Sequence, residues 1–261
     1  MNILKTLKTI TLLLFIQTTF AISVSIDPSH YYLKINPKKI VRKTVRVTNT
    51  DSNPVNINVY LNDWSLQNGK KIFSPAGTSS LSVANQVSVF PANFSLNPKE
   101  SQEVLLAIQT APNQQGGRYG VVFFEAIPDT PAKQGALQVS GRLGCIIYAE
   151  VNGTEKKSYK TTDFKCSLIR NKLYIRFKLK NEGNILLNPN IKFLLIDNKS
   201  NEILLKKETK EVIALPGGEH YFYYNTKLTQ DIKKLNRKKL SLLVTFDFGN
   251  DDLFMEEIPI K

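Results

Sequence analysis

The sequence is poor in the side chains on which most catalytic and metal centres depend. Histidine occurs only at His30 and His220, and neither has a second ligand at metal-site spacing. There is no G-x-S-x-G elbow, no H-E-x-x-H helix and no Walker-type glycine loop. Gly116-Gly117 and Gly217-Gly218 stand in turn contexts rather than in phosphate cradles. The carboxylates are scattered through polar turns, so no convergent set of titratable groups emerges. The sequence therefore predicts a protein that is not an enzyme, with no catalytic residue, no metal and no cofactor.

Cysteine is equally scarce, with Cys145 and Cys166 alone. Two such residues exclude a dense disulfide framework, and their spacing fits neither a zinc site nor a redox motif. In an oxidising compartment they have one possible pairing, which would tie the end of one domain to the start of the next. The alternative is two buried free thiols that pack as small hydrophobes.

Long apolar runs are missing too. Ile10 to Ile16 is far short of the roughly 20 residues that span a bilayer. Lys5 and Lys8 precede this run and Thr19-Phe20-Ala21 follows it, the arrangement of a cleaved signal peptide over residues 1–21. A buried first strand or an uncleaved anchor are the other readings of the same run. Export predicts a released chain beginning at Ile22, without stable membrane insertion.

Acidic residues are outnumbered, and the formal net charge is +13. In an exported chain this does not point to nucleic acid. It suits acidic proteins, anionic lipid headgroups or wall polymers, or serves only to solvate the surface.

What the sequence has in quantity is strand signal. Val55, Ile57, Val59 and Leu61 alternate with Asn56, Asn58 and Tyr60, the period of a half-buried strand. Val41 to Val47, Val104 to Ile108, Tyr119 to Phe124 and Leu137 to Tyr148 read as further strands. Thr48 to Pro54, Asn68-Gly69 and Asp129-Thr130-Pro131 punctuate them as turns. From about Lys156 a second series begins, with strands at Tyr174–Leu179, Ile191–Ile196, Glu211–Leu215, Tyr221–Tyr224 and Leu242–Phe248. Only Leu228 to Leu240 has a helical look, and its cluster Lys233, Lys234, Arg237, Lys238 and Lys239 either faces water or touches an anionic surface. Strands separated by turns at this pace predict an all-β protein of two immunoglobulin-like β-sandwich domains in tandem. The expected division is 22–150 and 151–261, at Glu150-Val151-Asn152-Gly153-Thr154.

Several segments, in order, resemble the first domain of PapD-like periplasmic pilus chaperones. Val24 to His30 looks like their first strand, and Val45-Arg46-Val47-Thr48-Asn49 matches their "V-x-N" strand end. Asp63-Trp64 fits the tryptophan after the next strand. Pro91 to Pro98 with Gln102-Glu103-Val104, and Tyr119 to Phe124 with Glu125, Ile127 and Pro128, complete the set. In the second half, Lys180 to Asn184 with Pro189, and Leu215-Pro216-Gly217-Gly218, are similar to turns of bacterial immunoglobulin-like modules generally.

The resemblance implies a periplasmic chaperone in pilus or fimbrium biogenesis. Its partners would be pilus or fibre subunits that lack a strand, and an outer-membrane usher. Such a chaperone lends an edge strand to the subunit's open groove. The lending strand would be Leu137 to Tyr148, with Leu137, Val139 and Leu143 filling the groove. Gly141 falls where another large residue is expected, and packing of Leu137 and Val139 into their own domain is the other reading. The family also clamps the subunit's terminal carboxylate with two cations. His30 falls at the first of these positions, and Arg142 is the nearest cation for the second, at the wrong offset. A histidine is a weaker clamp than arginine near neutral pH. A different reading of the same two sandwiches is a structural or adhesive protein of the cell surface.

Overall fold

A computed structural model describes residues 24–67, 69–129, 140–228, 239–249 and 252–260. The segment 1–21 expected to be a leader, Leu137 and Val139, and the basic run at 233–238 lie outside the described residues.

The described chain is strand after strand, interrupted by a 3-10 turn at Ala84–Gln86. The first sandwich begins with β1 (Val24–Asp27), β2 (His30–Ile35), β3 (Ile40–Asn49) and β4 (Val55–Gln67). It continues through β5 (Lys70–Pro75), β6 (Val87–Phe90), β7 (Asn93–Leu96), β8 (Ser101–Gln109), β9 (Gly117–Pro128) and β10 (Gly141–Val151). One sheet has the order β1-β3-β8-β6, and the other β2-β10-β9-β4-β5 with β7 also on β4. The Asp27-Pro28 break carries the chain from the first sheet to the second. Before it, β1 pairs antiparallel with β3; after it, β2 pairs parallel with β10.

Alternation sets which face is buried. Val55, Ile57 and Val59 of β4, and Cys145, Ile147, Ala149 and Val151 of β10, point between the sheets and are buried. With Val45, Val47, Val104, Leu106, Ile108, Val122 and Phe124 they form the core of the first sandwich. The apolar face of each strand has nowhere else to go: period two puts it all on one side.

The second sandwich comprises β11 (Tyr159–Ile169), β12 (Lys172–Asn181), β13 (Asn190–Asp197), β14 (Glu202–Thr209), β15 (Glu219–Lys227), β16 (Leu240–Asp247) and β17 (Leu253–Pro259). Its sheets are β11-β12-β15 and β14-β13-β16-β17. Stacked phenylalanines fill the space between them, among them Phe177, Phe193, Phe222 and Phe246. The all-β architecture of two sandwiches stands as the sequence predicts.

One expectation needs correction. Glu211 to Leu215 is not a strand: it meets Leu187 through the single bridge at Ala214, and Pro216 stops the pairing from extending. For the cysteines, where the sequence left a bridge and two buried thiols open, the structure shows the second. Both are free and buried, Cys145 in the first core and Cys166 in the second, each on the inward face of its strand. Burial pushes each thiol up to about 12.

The same device finishes a strand in each sandwich. Asn49 ends β3 fully buried, and its Nδ2 donates to the carbonyls of Asn53 (2.8 Å), Leu96 (3.1 Å) and Asn97 (3.1 Å). Asn181 ends β12 equally buried, donating to Ile185 O (2.7 Å) and Ala214 O (2.8 Å). In both, Oδ1 accepts the N–H two residues on, 2.9 Å from Asp51 N and from Gly183 N. One amide thus satisfies several turn groups that burial would otherwise strand.

Candidate functional site

Strand β10 is covered unevenly. On one side β9 pairs with it from Gly141 to Glu150. On the other side β2 pairs only from Ile146 to Val151, beginning at Ile146 opposite His30. Among the described residues no strand pairs with that second side of Gly141–Cys145. The Ile146 N–H points to the covered side, donating to Ser29 O at 3.0 Å. Backbone groups alternate along a strand, so Gly144 and Arg142 aim their N–H and C=O at the open side. This is a short unpaired edge, the feature that natural sheets ordinarily cover or shorten.

The side chains along this edge have different fates. Leu143 has the inward phase of Cys145 and Ile147, but lies beyond the reach of β2 and is only half-buried. Arg142 takes the outward phase. Its guanidinium stacks 4.5 Å from the centre of the Phe123 ring, and Nη1 lies 3.3 Å from the Tyr60 hydroxyl. Gly144 leaves no side chain on that face. A Cβ there would come within 2.7 Å of Val121 Cγ2 and 3.1 Å of Phe123, so the glycine lets those side chains lie across the backbone of β10.

His30 starts β2 and is exposed. Its Nδ1 lies 3.2 Å from the Ser29 hydroxyl, and its ring meets Tyr32 edge-on at 5.3 Å. His30 and Arg142 are not brought together. His30 stands opposite Ile146, four positions from Arg142, about 13 Å along a strand at its usual rise. The two do not make a two-cation clamp, and Ile146 occupies the place directly beside His30.

Beyond His30 runs an aromatic row that sequence reasoning missed. Tyr32, 57% exposed, stacks on buried Tyr148 at 4.3 Å. Tyr148 meets Trp64 at 5.9 Å and Tyr119 at 6.2 Å, edge to face. Trp64, Tyr119 and Tyr148 close against Leu215 of the second sandwich, with Leu186 and Ile213 beside it. Burial pushes the pKa of the Tyr119 and Tyr148 phenols above the ordinary tyrosine value, which keeps both neutral. The available signal was parity. Tyr32, Trp64, Tyr119 and Tyr148 all fall on the phase opposite to the core residues of their strands.

Backbone contacts lock the same junction. Gly117 N donates to Asn184 O at 2.8 Å, and Gly116 N to Thr154 Oγ1 at 2.9 Å. Gly116 has φ +67°, and a Cβ there would lie 2.3 Å from Asn184 O. Only glycine meets both demands. The open edge of β10, His30 and the aromatic row therefore share one face of the first sandwich, and that face runs into the junction. Among the described residues no three His, Cys, Asp or Glu side chains are grouped to hold a metal ion.

No family model matches the sequence, and no curated protein matches it. Solved structures do match, over nearly the whole chain. One is a chain from a structure described as a chaperone–tip adhesin complex vital for synergistic activation of CFA/I fimbriae biogenesis. It has a TM-score of 0.52 at 13% identity, covering 91% of this chain and 99% of that chain. Another is the class 5 fimbriae chaperone CfaA, with a TM-score of 0.50 at 14% identity, covering 90% of this chain and 98% of that chain. At such identities the likeness is one of architecture: the chain has the two-domain PapD-like fold of the fimbrial chaperones.

Proposed function

We propose that the protein is a periplasmic chaperone that lends the open side of β10 to incomplete β-sandwich subunits of a pilus or surface fibre. The unpaired edge at Gly141–Cys145 carries this reading. A subunit strand laid along it would take up the free N–H and C=O of Arg142 and Gly144. Leu143 would then pack into the subunit's groove, in phase with Leu137 and Val139 before it. His30, exposed where β2 closes the edge, is the candidate contact for a subunit carboxylate, and Arg142 a separate cation further along. Residues 1–21 act as the export signal, 22–150 as the lending domain and 151–261 as its companion. An outer-membrane usher is the expected recipient of the loaded complex. No catalytic step or cofactor is needed.

The test is a pull-down of the tagged protein from native periplasm, followed by mass spectrometry. Recovery of one or a few small β-rich subunits in a 1:1 complex, lost in Leu137→Glu/Val139→Glu and weakened in Leu143→Glu, is expected. A preparation without such a subunit, or a protein found chiefly on the outer cell surface, would overturn the proposal.

A further inference from the structure

The outward face of the three-stranded sheet β11-β12-β15 carries a charge pattern that folding alone disfavours. Its register sets Lys165 beside Arg176 and Tyr223, then Ser167 beside Tyr174 and Asn225, then Ile169 beside Lys172 and Lys227. Lys165 thus directly opposes Arg176, and Lys172 directly opposes Lys227. Like charges in directly opposed positions destabilise a sheet. None of these four cations forms an ion pair among the described residues. The same face is neutralised nearer the first sandwich, where Lys178 pairs with Glu219 at 3.3 Å and Lys180 with Glu182 at 3.3 Å. Ion pairing stops at the far half, although Asp163, Glu256 and Glu257 stand at its rim, and the exposed apolar surface runs on from Tyr221. Tyr223 is 69% exposed, Ile169 55% and Tyr174 39%. The inward residues of these strands, Cys166, Leu168, Leu173, Ile175 and Phe222, are all buried, so the tyrosines contribute nothing to the core.

We infer that this far half of the sheet docks on an anionic phospholipid surface. The charge is complementary, and it comes as three lysines and a single arginine. Lysines act as point charges suited to a diffuse anionic layer, whereas a site for defined protein carboxylates favours arginine forks. Tyrosine rings with polar tips, set among long lysine stems, are the side chains that settle at headgroup depth. Contact is peripheral: the strands stay in the sandwich and only the exposed row meets the headgroups.

The experiment is co-sedimentation of the purified protein with vesicles of phosphatidylglycerol and phosphatidylcholine, against vesicles of phosphatidylcholine alone, at low and high salt. Binding should require phosphatidylglycerol and weaken with salt. Each cation near the surface is worth about fivefold in partitioning. The quadruple variant K165Q/K172Q/R176Q/K227Q should therefore bind at least about 100-fold more weakly. Tyr174→Ser/Tyr223→Ser should lose affinity at unchanged charge. A control with the same net charge, K38Q/K39Q/K70Q/K206Q, should bind more tightly than the face variant. All these positions are exposed, and unchanged circular dichroism checks that each variant folds. Equal loss in the control would assign binding to net charge alone and overturn the inference, as would no preference for phosphatidylglycerol. Binding to polyglutamate that is as tight as to vesicles, and lost in the same variants, would assign the face to an acidic protein and overturn it too.

Discussion

Asn49 allows a stability prediction to be worked atom by atom. Its Nδ2 supplies two hydrogens to three turn carbonyls, and its Oδ1 accepts one N–H. Asn49→Ala removes both donors and the acceptor from a fully buried site. At about 1 kcal/mol for each net hydrogen bond, and with part of the penalty relieved by water, the loss should be about 2–4 kcal/mol. Asn49→Asp should cost more. It keeps the volume but turns an oxygen toward three carbonyl oxygens and buries a charge. Urea unfolding followed by tryptophan emission reports the effect, because Trp64 is the only tryptophan and is buried on β4 of the first sandwich, where that sandwich meets the second. Asn181→Ala should have a similar cost, seen in the far-ultraviolet signal of the second sandwich. A loss below about 1 kcal/mol for Asn49→Ala, or an aspartate no worse than alanine, would refute the bonding scheme.

Three further outcomes follow from the junction and the cores. His220 is half-buried, with Nδ1 3.0 Å from Ile213 O, and burial lowers its pKa; the unfolded chain therefore binds that proton first as pH falls through about 6.5. Stability from neutral His220 is complete above that pH and is lost below it, so between pH 7 and 5 the wild-type Tm should fall more steeply than that of His220→Gln; parallel curves would contradict this. Gly117→Ala places a Cβ 1.9 Å from the Tyr119 hydroxyl and should cost about 1–3 kcal/mol, part of which Tyr119→Phe should restore in the double variant; no recovery would show that the backbone and not the hydroxyl is at fault. Cys145 and Cys166 should resist thiol reagents until the chain unfolds, and a reductant should leave Tm unchanged; a 145–166 linked peptide in the native protein would contradict two separate cores.

Much of this architecture could be read from the sequence because period two is a strong signal. Val55 to Leu61 is a strand facing one core, and β4 runs as predicted except that it continues to Gln67. The strands that escaped notice, β2, β5, β6, β7, β11, β14 and β17, are short or lie at sheet edges, where alternation is blurred by exposed residues such as Tyr32, Ile203 and Met255. Glu211 to Leu215 misled because its buried residues, Val212, Ala214 and Leu215, pack in the second core and the junction without a ladder. The candidate site was visible in part. His30 and Arg142 could be named from sequence, but their four-residue offset along β10 depends on the parallel register with β2, which no local pattern encodes. The aromatic row at the junction is likewise a product of pairing between distant strands.

The open side of β10 makes a direct measurement available: amide exchange at Arg142 and Gly144, in the free protein and in the complex recovered with its co-purifying subunit. Strand lending predicts fast exchange at both amides in the free protein and strong protection in the complex, while Ile146, already bonded to Ser29, is slow in both. Protection of Arg142 and Gly144 before any subunit binds, or exchange unchanged in the complex, would contradict it.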